Sequence, residues 1–481
     1  MLKKIIILLF TLFQSSSFAL TMNNRNLQMM AATKNVAAKS TTKQTVAIIG
    51  GGIAGLSCAQ ALSNSGRYLP TVFDTGRLRP GGRCSSRLPG EDTKKYNYLS
   101  QTIIDHAAQI INVAPDTEFE DQMNKWEEEG HVKQFKDGTV CDISNPYDPE
   151  SKKYDKTQIK LTAKNTNSMY YGANGMQSLP EAMSKNNFEI QQDVWVSPNK
   201  GVKLIDNNSN KGISNNSKFW QIKTKGSPKF DKLVIAHNGK CADRLMSSTP
   251  AKDLHQLLRV NFSPTVPKNG GNRMTLNSIY SLTFAIDKLN GIPENIICAF
   301  IKNHPNLKFL SCNTRKYPTD EKKDFEVWTV LSSAKFGKAY KGPQENLPPG
   351  LVQNVTSLLY ESLEQSLALP EGTFTEDNIL ESRLQLWGAG VPLNTWKTSS
   401  TNANVPNNNE DCDGFLYDGQ FGVGVCGDWL VESSIYGAWE SGRRLAQYLA
   451  ENTNDEESKV GLKDGKFRMS AAVDKAGIGS L

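Results

Sequence analysis

Residues 45 to 66, TVAIIGGGIAGLSCAQALSNSG, decide the fold of this chain. The stretch begins with an unbroken apolar run, as a strand buried in a parallel sheet does, and continues with a helical apolar pattern that ends at Gly66. Residues 70 to 74, PTVFD, form a second apolar run that ends in an acid. Strand, helix and strand in this order predict a β-α-β unit and hence an α/β domain.

A glycine fingerprint, G-x-G-x-x-G, joins the first strand to the helix at Gly50, Gly52 and Gly55. The first glycine permits a tight turn, the second lets a diphosphate approach the backbone, and the third allows helix and strand to pack closely. Ala54 lies in the same fingerprint, and Asp74 follows Gly55 by 19 residues, where a carboxylate accepts the hydroxyls of a ribose. The pattern predicts dinucleotide binding; the alternative is a glycine-rich turn with a surface aspartate.

An arginine-rich turn follows Asp74 directly, reading DTGRLRPGGRCSSR at residues 74 to 87. Gly81 and Gly82 allow the backbone to lie against a cofactor, and Arg83 can form a charge-assisted hydrogen bond with phosphates. Glycine pairs with arginine also occur in solvated loops, and the position just after Asp74 favours the cofactor interpretation. The pattern leaves open the roles of three further arginines, Arg77, Arg79 and Arg87.

A third segment with glycine and acid lies near the C-terminus, VCGDWLVESSIYGAWESG at residues 425 to 442. Gly427 and Asp428 precede a short loop, and a helix is predicted to begin near Ile435. A second G-x-G-x-x-G is completed by Gly422, Gly424 and Gly427, but no acid-tipped strand follows it. We therefore interpret it as a glycine-rich strand and not as a second nucleotide site.

These three segments resemble the FAD signatures of the flavin amine oxidase superfamily, and other stretches are similar to its renalase-like plant and algal branch. Those stretches are DHAAQ (105–109), GANGM (172–176), IAHNGKCADRL (235–245), RLQLWGAGVPLNTW (383–396) and GVCGDWLVESSIYGAW (424–439). Asp74 departs from the usual glutamate, and the G-G-R lies one residue further from the acid than is usual. No Ser-Gly-Gly-Cys-Tyr attachment segment is found, so the resemblance implies noncovalent FAD.

The resemblance implies a glutathione-reductase-like Rossmann FAD-binding domain with an inserted α+β substrate domain. Asp428 would contact the ribityl chain or diphosphate of FAD, and the helix at Ile435 would direct N–H groups at the flavin. Trp387 is predicted to wall the flavin pocket. Weaker candidates for the substrate site are His237, Asn238, Tyr170 and Tyr171, for each of which ordinary packing is the simpler interpretation.

The implied activity is hydride transfer to flavin N5 from a small reduced substrate, such as a dihydronicotinamide dinucleotide or an amine, with oxygen as oxidant giving hydrogen peroxide. One alternative is a desaturase of a lipophilic substrate such as a carotenoid. Another is a binding protein that keeps the FAD fold without turnover. Retention of Asp74, Arg83 and Asp428 argues against the last, since a protein that no longer binds FAD has no need of all three.

The formal net charge of +6 at pH 7 does not indicate a nucleic-acid partner. Residues 1–43 carry six basic residues and no acid, and the rest of the chain carries 49 basic and 49 acidic residues. The eight cysteines include no C-x-x-C pair and the five histidines are dispersed, so no metal site is predicted.

The N-terminus has the pattern of a signal peptide, in which Lys3 and Lys4 precede a nine-residue apolar run at residues 5–13. No acid follows before Asp74, and Phe18 lies just after the apolar run. Such a basic, acid-free stretch resembles the bipartite presequences of algae with complex plastids. We expect entry into the secretory pathway and a plastid destination; the alternative is a secreted or luminal protein. Later apolar runs do not approach transmembrane length.

The composition along the chain predicts two interleaved domains after a presequence at residues 1–43. Polar, charge-rich chain follows residue 112, and longer strands with one amphipathic helix, LVQNVTSLLYESLEQSLAL, follow residue 250, which favours a mostly antiparallel sheet there. The FAD-binding domain is predicted to comprise 44–112, 169–249 and 401–452. The substrate domain is predicted to comprise 113–168 and 250–400, with a flexible tail at 453–481.

Overall fold

The computed structural model begins with the predicted β-α-β unit, at Gln44–Ile49, Ile53–Asn64 and Tyr68–Phe73. The predicted presequence lies outside the described residues, apart from Lys43. The structure describes residues 43–144, 147–148, 153–154, 160–185, 187–206, 218–262, 274, 276–289, 292–302, 304–320, 323–375, 377–397, 413–452, 457–462 and 466–469.

The helices and strands are numbered in chain order. The helices are α1 (Ile53–Asn64), α2 (Glu118–Glu128), α3 (Ser178–Ser184), α4 (Gly239–Met246), α5 (Lys252–Phe262), α6 (Asn313–Lys316), α7 (Ala334–Ala339), α8 (Pro349–Leu367) and α9 (Ile435–Glu451). The strands are β1 (Gln44–Ile49), β2 (Tyr68–Phe73), β3 (Ser86–Arg87), β4 (Ile104–Asp105), β5 (Ile111–Asn112), β6 (Val132–Gln134), β7 (Val140–Ser144), β8 (Tyr147–Asp148), β9 (Lys153–Tyr154), β10 (Lys160–Ala163), β11 (Met169–Gly172), β12 (Glu189–Gln191), β13 (Val202–Asp206), β14 (Lys218–Ile222), β15 (Lys229–Phe230), β16 (Lys232–Ile235), β17 (Ile279–Ile286), β18 (Cys298–Lys302), β19 (Leu307–Cys312), β20 (Glu326–Ser332), β21 (Ile379–Trp387), β22 (Asn394–Lys397), β23 (Leu416–Asp418), β24 (Val423–Val425), β25 (Lys459–Val460) and β26 (Lys466–Met469).

The first large sheet has seven strands in the order β12-β2-β1-β16-β24-β23-β25. Its first five strands are parallel, and β23 and β25 run antiparallel to their neighbours. Side chains of β1 alternate between two apolar cores, Val46 and Ile48 in one and Ala47 and Ile49 in the other. Burial on both faces is the physical reason for the unbroken apolar run in the sequence.

The second large sheet also has seven strands, in the order β10-β7-β18-β19-β20-β17-β21. Only β7 and β18 pair in parallel, and the other neighbours are antiparallel. On β17, Tyr280, Leu282 and Phe284 face a core that α8 covers with Val355 and Leu359. The predicted α/β fold, with a Rossmann-type domain and a mostly antiparallel second sheet, is therefore confirmed.

Two segments pack across the predicted domain boundaries, which stay a prediction. Only part of the segment 113–168 joins the second sheet, through β7 and β10, because α2 packs Phe119 and Trp126 into the core of the first sheet. The helix α5 lies beyond the predicted boundary at residue 249, yet its Leu254 and Leu258 pack in the other core of the first sheet. Burial of these apolar side chains outweighs the polar composition that suggested the boundaries.

Part of the predicted flexible tail at 453–481 is paired as strands. Strand β25 pairs with β23 at the edge of the first sheet, where Val460 is buried. Strand β26 pairs with β22 in a separate two-stranded sheet. The polar composition predicted a flexible tail here. The structure differs because these residues pair with strands more than 40 residues earlier in the sequence.

Two features of the described residues concern membranes and metals. Among these residues, no helix combines the length and the apolar character needed to cross a bilayer. In the same part of the chain, no three His, Cys, Asp or Glu side chains come together in a way that could hold a metal ion.

Candidate functional site

The glycine fingerprint forms the turn between β1 and α1, and its glycines meet different constraints. Gly50 has φ +115°, and a Cβ there would lie 2.8 Å from the carbonyl oxygen of Ala236. A Cβ on Gly55 would lie 1.9 Å from the Gly50 carbonyl oxygen, so α1 packs directly on the turn. Gly52 differs, because nothing lies within 4 Å of where its Cβ would be. An anion can therefore approach the backbone at Gly52, where α1 begins.

Asp74 ends the second strand, and its carboxylate reaches the same turn. Oδ2 accepts a hydrogen bond from the Gly51 N–H at 2.7 Å, and Oδ1 accepts one from the Gly76 N–H at 2.7 Å. The residue is buried. A carboxylate has about four acceptor positions, so these two bonds fix its orientation and leave capacity for the hydroxyls of a ribose.

The turn at Gly81 and Gly82 lies directly on the fingerprint. The Gly81 N–H donates to the Gly51 carbonyl oxygen at 2.7 Å, and Gly52 and Gly81 form a parallel β-bridge. Gly81 and Gly82 have φ values of +134° and +56°, which L side chains rarely adopt. The two glycine-rich segments therefore form one continuous backbone surface.

Arg83 connects this surface to two later parts of the chain. One guanidinium nitrogen, Nη2, donates to Asp428 Oδ2 at 2.8 Å, and the other, Nη1, donates to the Gly390 carbonyl oxygen at 2.7 Å. The Asp428 side chain is 5% exposed, whereas that of Arg83 is 31% exposed. The structure thus brings together Arg83 and Asp428, which the sequence placed in separate segments.

The C-terminal segment is held against the first helix by close packing. The Ser57 hydroxyl on α1 donates to the Trp439 carbonyl oxygen at 2.6 Å, and the Gly427 N–H donates to Ser441 Oγ on α9 at 2.9 Å. Helix α9 begins at Ile435, where the helix was predicted. Ser434 caps α9, because its Oγ accepts a hydrogen bond from the Gly437 N–H at 3.0 Å. No acid lies in the first turn. The N-terminus of α9 therefore keeps partial positive charge, which suits an anionic group.

The residues of this site fit a dinucleotide with a diphosphate. The open backbone at Gly52 offers space, Asp74 offers an acceptor, and Arg83 offers a partly exposed cation on the same surface. These are the three groups that a diphosphate flanked by a ribose requires. Ala54 is buried, and its carbonyl oxygen would lie 2.1 Å from a Cβ on Gly442, so it serves the contact between α1 and α9.

Trp387 is the last residue of β21. The loop that follows it contains Gly390, whose carbonyl oxygen accepts the hydrogen bond from Arg83. Its ring stacks on His106 with ring centroids 5.6 Å apart and planes 5° apart, and its Nε1 donates to the His106 carbonyl oxygen at 3.2 Å. Burial and then the positive charge of Arg87 lower the pKa of His106 to about 3. The pair is therefore a neutral aromatic wall at ordinary pH. His106 Nε2 lies 3.4 Å from Ser85 Oγ, two residues after Arg83.

The weaker substrate candidates have packing roles. Asn238 caps α4, since its Oδ1 accepts a hydrogen bond from the Cys241 N–H at 3.1 Å. The His237 carbonyl oxygen accepts a hydrogen bond from Trp429 Nε1 at 3.2 Å, and burial lowers the pKa of its imidazole. Tyr170 and Tyr171 lie in β11, where burial raises the pKa of both phenols, and the ring of Tyr171 contacts Phe135.

A buried ion pair that the sequence did not predict links β4 to α6. Lys316, at the end of α6, is fully buried and donates to Asp105 Oδ2 at 2.7 Å and to the Gln109 carbonyl oxygen at 2.7 Å. Asp105 also accepts from the Ser86 hydroxyl, the Met176 N–H and the Tyr317 hydroxyl. Burial would raise the pKa of Asp105, but Lys316 and these donors lower it. The DHAAQ and GANGM stretches are therefore joined through one carboxylate.

Two of the three arginines that the sequence left open have acidic partners. Arg79 forms an ion pair with Glu91, and its Nη1 donates to the Ser86 carbonyl oxygen at 3.0 Å. Arg87 Nη1 lies 2.7 Å from Asp92 Oδ2. Arg77 is exposed in the loop between β2 and the Gly81 turn. Arg79 and Arg87 therefore organise the chain after Asp74, and neither joins the diphosphate surface.

Comparisons with known proteins bear on the fold. A family model of an NAD(P)-binding Rossmann-like domain matches residues 48–125. A solved fatty acid isomerase from P. acnes, described as CLA-producing, is 11% identical with a TM-score of 0.50, and the match covers 84% of this chain and 98% of that one. A putrescine oxidase double mutant and the cyclohexylamine oxidase of Brevibacterium oxydans IH-35A are each 12% identical with TM-scores of 0.49, over 85% of this chain and 99% of each of theirs.

At these identities the likeness to solved structures concerns the fold. The similarity to the isomerase extends over 84% of this chain, and the family model covers the segment that holds the glycine fingerprint, Asp74 and the G-G-R turn. This chain therefore combines a Rossmann-like NAD(P)-binding domain with a second, mostly antiparallel sheet, in a fold similar to that of the isomerase.

Proposed function

We propose that this chain is an FAD-dependent oxidoreductase of the flavin amine oxidase superfamily, of the renalase-like type, with noncovalently bound FAD. The observation that supports this most is the convergence of the three predicted cofactor segments on one surface. Gly81 donates to Gly51, and Arg83 donates to Asp428, so segments far apart in sequence meet beside the open backbone of Gly52.

The residues of the chain have separate roles in this proposal. Asp74 holds the adenosine ribose through its carboxylate, and the backbone at Gly52 receives the diphosphate. Arg83 offsets the negative charge of the diphosphate, and Asp428 in turn holds Arg83 in place. The N-terminus of α9, at Ile435, favours negative charge on the flavin.

Bound FAD would supply the hydride-accepting atom, N5 of the flavin. We propose that the donor is a small reduced molecule, such as a dihydronicotinamide dinucleotide or an amine, and that oxygen is the oxidant, giving hydrogen peroxide. His106 and Trp387 would act as a wall that excludes water, and the lowered pKa of His106 keeps that wall uncharged.

An anaerobic reductive titration tests this function. The protein, expressed from residue 44 onward, is mixed with dihydronicotinamide isomers, amines and carotenoids in turn, and bleaching of the flavin spectrum is followed. We expect one of the small soluble donors to bleach the flavin, and admission of oxygen to restore the spectrum with formation of hydrogen peroxide. The Gly52→Ala protein, which should lack flavin, is prepared in the same way. It is the control for absorbance changes that do not come from bound flavin.

Two other outcomes would replace the proposal. Bleaching by a carotenoid alone would indicate a desaturase of a lipophilic substrate. A flavin spectrum that no donor changes would indicate a binding protein that has kept the cofactor and lost turnover.

We also propose that residues 1–43 direct the protein into the secretory pathway and on to a complex plastid. A reporter fused to this segment and expressed in an alga with complex plastids should enter the plastid. Retention of the reporter in the cytosol would contradict both this destination and the secretory alternative.

A further inference from the structure

A polar cleft lies on the face of the second sheet opposite to α8. Strands β17 and β21 place Ser281 beside Gln385 and Thr283 beside Arg383, as directly paired residues. Ser281 and Thr283 are 1% and 4% exposed. A strand normally buries apolar side chains on a covered face, so four polar residues side by side need another explanation.

The opposite wall of the cleft comes from the segment that follows the G-G-R turn. Arg87 contributes a guanidinium, and the apolar side chains on this wall are Leu88, Tyr96, Leu99 and Ile104. His106 also lines the cleft, so its inner end lies close to Ser85 and the candidate cofactor surface. The cleft contains about 410 Å³ of empty space, a volume that includes its opening to solvent. The inner part of the cleft is narrow.

Within the part of the chain that the structure describes, three buried polar atoms of the cleft have no hydrogen-bond partner, Arg87 Nε, Ser281 Oγ and Gln385 Oε1, and His106 Nδ1 at its inner end is a fourth. A buried polar atom without a partner costs about 1–3 kcal/mol, so native proteins rarely keep three together. The oxygen and nitrogen of a glutamine amide exchange places on a half-turn of the side chain, so Gln385 can present either group. A bound polar group that accepts from Arg87 and Ser281 would satisfy these atoms.

The charges favour an anion in the cleft. Arg87 and Arg383 share a single carboxylate oxygen, Asp92 Oδ2, at 2.7 Å and 2.8 Å, and the Asp92 side chain is 44% exposed. The other acid on the wall, Glu91, is already paired with Arg79, which does not line the cleft. Burial, and then the charge of Arg383, lower the pKa of Arg87. Two guanidiniums therefore share one carboxylate, and a second anion would relieve their repulsion.

We infer that this cleft, formed by Arg87, Ser281, Arg383 and Gln385, binds the carboxylate group of a small organic anion. Arg87 Nε and Ser281 Oγ donate to the carboxylate oxygens, and Gln385 turns its amide nitrogen toward them. Arg383 supplies the second positive charge. The narrow inner part suits one carboxylate group, and the apolar wall suits a short hydrocarbon portion beside it. This inference does not depend on the proposed function, because it concerns residues outside the diphosphate surface.

Calorimetric titration of the full-length protein with sodium acetate tests the inference, at an ionic strength kept constant with sodium chloride. Acetamide is the neutral probe, because it has nearly the same shape as acetate and carries no charge. We expect acetate to bind with one site per chain and acetamide to give no heat of binding. Equal binding of the two probes, or no binding of acetate, would overturn the inference.

Three variants locate the site. Arg87→Lys keeps the positive charge and loses Nε, and Ser281→Ala loses the hydroxyl, so each should weaken acetate binding by about tenfold. The matched control is Arg443→Lys, because that side chain is 25% exposed, as Arg87 is, and pairs with Glu440 on α9. Acetate affinity unchanged in both Arg87→Lys and Ser281→Ala would place any bound acetate elsewhere and overturn the inference.

Discussion

The Arg83 guanidinium donates to the Asp428 carboxylate at 2.8 Å, although 345 residues separate them in the sequence. One partner belongs to the turn after the second strand and the other to the segment before α9. The Asp428 side chain is nearly inaccessible, and Arg83 is the partner that solvent reaches. This pair therefore links two candidate cofactor segments and leaves a cation at the surface that they share.

Replacement of Arg83 by glutamine should reduce flavin binding. The change removes the cation that the diphosphate requires and leaves Asp428 buried without its charged partner. Hydrogen bonds to charged groups contribute about 1.5–3 kcal/mol, so the affinity for FAD should fall by roughly ten- to a hundredfold. The measurement is a titration of apoprotein with FAD, and Arg77→Gln, an exposed arginine of the same segment, is the control. Equal affinities for Arg83→Gln and Arg77→Gln would contradict the role of Arg83.

Alanine at two glycines of the fingerprint should separate flavin binding from folding, because Gly52→Ala should lose only the first and Gly55→Ala should lose both. Gly52 has φ −76° and open space around its Cβ position, so Gly52→Ala should change the free energy of unfolding of the apoprotein by less than about 1 kcal/mol. The added methyl group occupies the space that a diphosphate needs, so the purified protein should lack flavin. Gly55→Ala should not fold, since its Cβ would lie 1.9 Å from a carbonyl oxygen.

The two glycine variants are compared by thermal unfolding of the apoproteins and by the flavin content of the purified proteins. A stable Gly52→Ala protein with the flavin content of the wild type would show that the open space over Gly52 is not used. A stable Gly55→Ala protein would show that α1 does not pack on the turn as described.

Lys316→Met should be strongly destabilising. The change removes the only ammonium beside Asp105 that is seen in the described residues and leaves a fully buried carboxylate, for which the expected loss is about 3–5 kcal/mol. Urea unfolding measures the loss. Adding Asp105→Asn to Lys316→Met should recover part of it, because the second change removes the buried charge. A single variant as stable as the wild type would show that the Ser86, Met176 and Tyr317 donors suffice for Asp105.

His106 should make stability depend on pH in the acidic range. Its pKa in the folded protein is lowered to about 3 by burial and then by Arg87, whereas an unfolded histidine has a pKa of about 6.5. Between these values the unfolded chain binds a proton that the folded chain does not, so stability falls as the pH falls, by about 1.4 kcal/mol per pH unit.

His106→Gln removes this contribution. The slope of unfolding free energy against pH should become shallower by about 1.4 kcal/mol per pH unit between about pH 4 and pH 5.5. Urea unfolding at several pH values in this window measures both slopes. His304, whose pKa burial lowers to about 4, remains in both proteins and cancels in the comparison. Identical slopes would mean that His106 is not buried as a neutral side chain.

The local sequence pattern predicted those helices and strands in which the order of apolar and polar residues shows which faces are buried. The apolar run of β1 reflects burial on both faces, and the helix start at Ile435 and the long helix α8 appear at the predicted places. Ser434 could also have been found, since a serine directly before a predicted helix is a common N-cap.

Contacts between distant parts of the chain could not be predicted from one sequence. Lys316 and Asp105 are 211 residues apart, and neither has a local pattern that differs from a surface residue. Gly442 lies in α9, and in a sequence a glycine within a helix indicates only a lower helix propensity. In the structure, a Cβ added at this position would lie 2.1 Å from the Ala54 carbonyl oxygen. The strand pairing of residues 459–460 depends on an edge that β23 offers, which the polar composition of the tail does not reveal.

We propose that the segments at residues 50–55, 81–83 and 427–428 form one FAD site. The flavin content of the purified protein is the decisive measurement. The visible spectrum is recorded, the protein is denatured, and the released flavin is identified. We expect one FAD per chain, released on denaturation because it is not covalently attached. A folded protein that is colourless after purification, and that takes up no FAD when the cofactor is added, would contradict it.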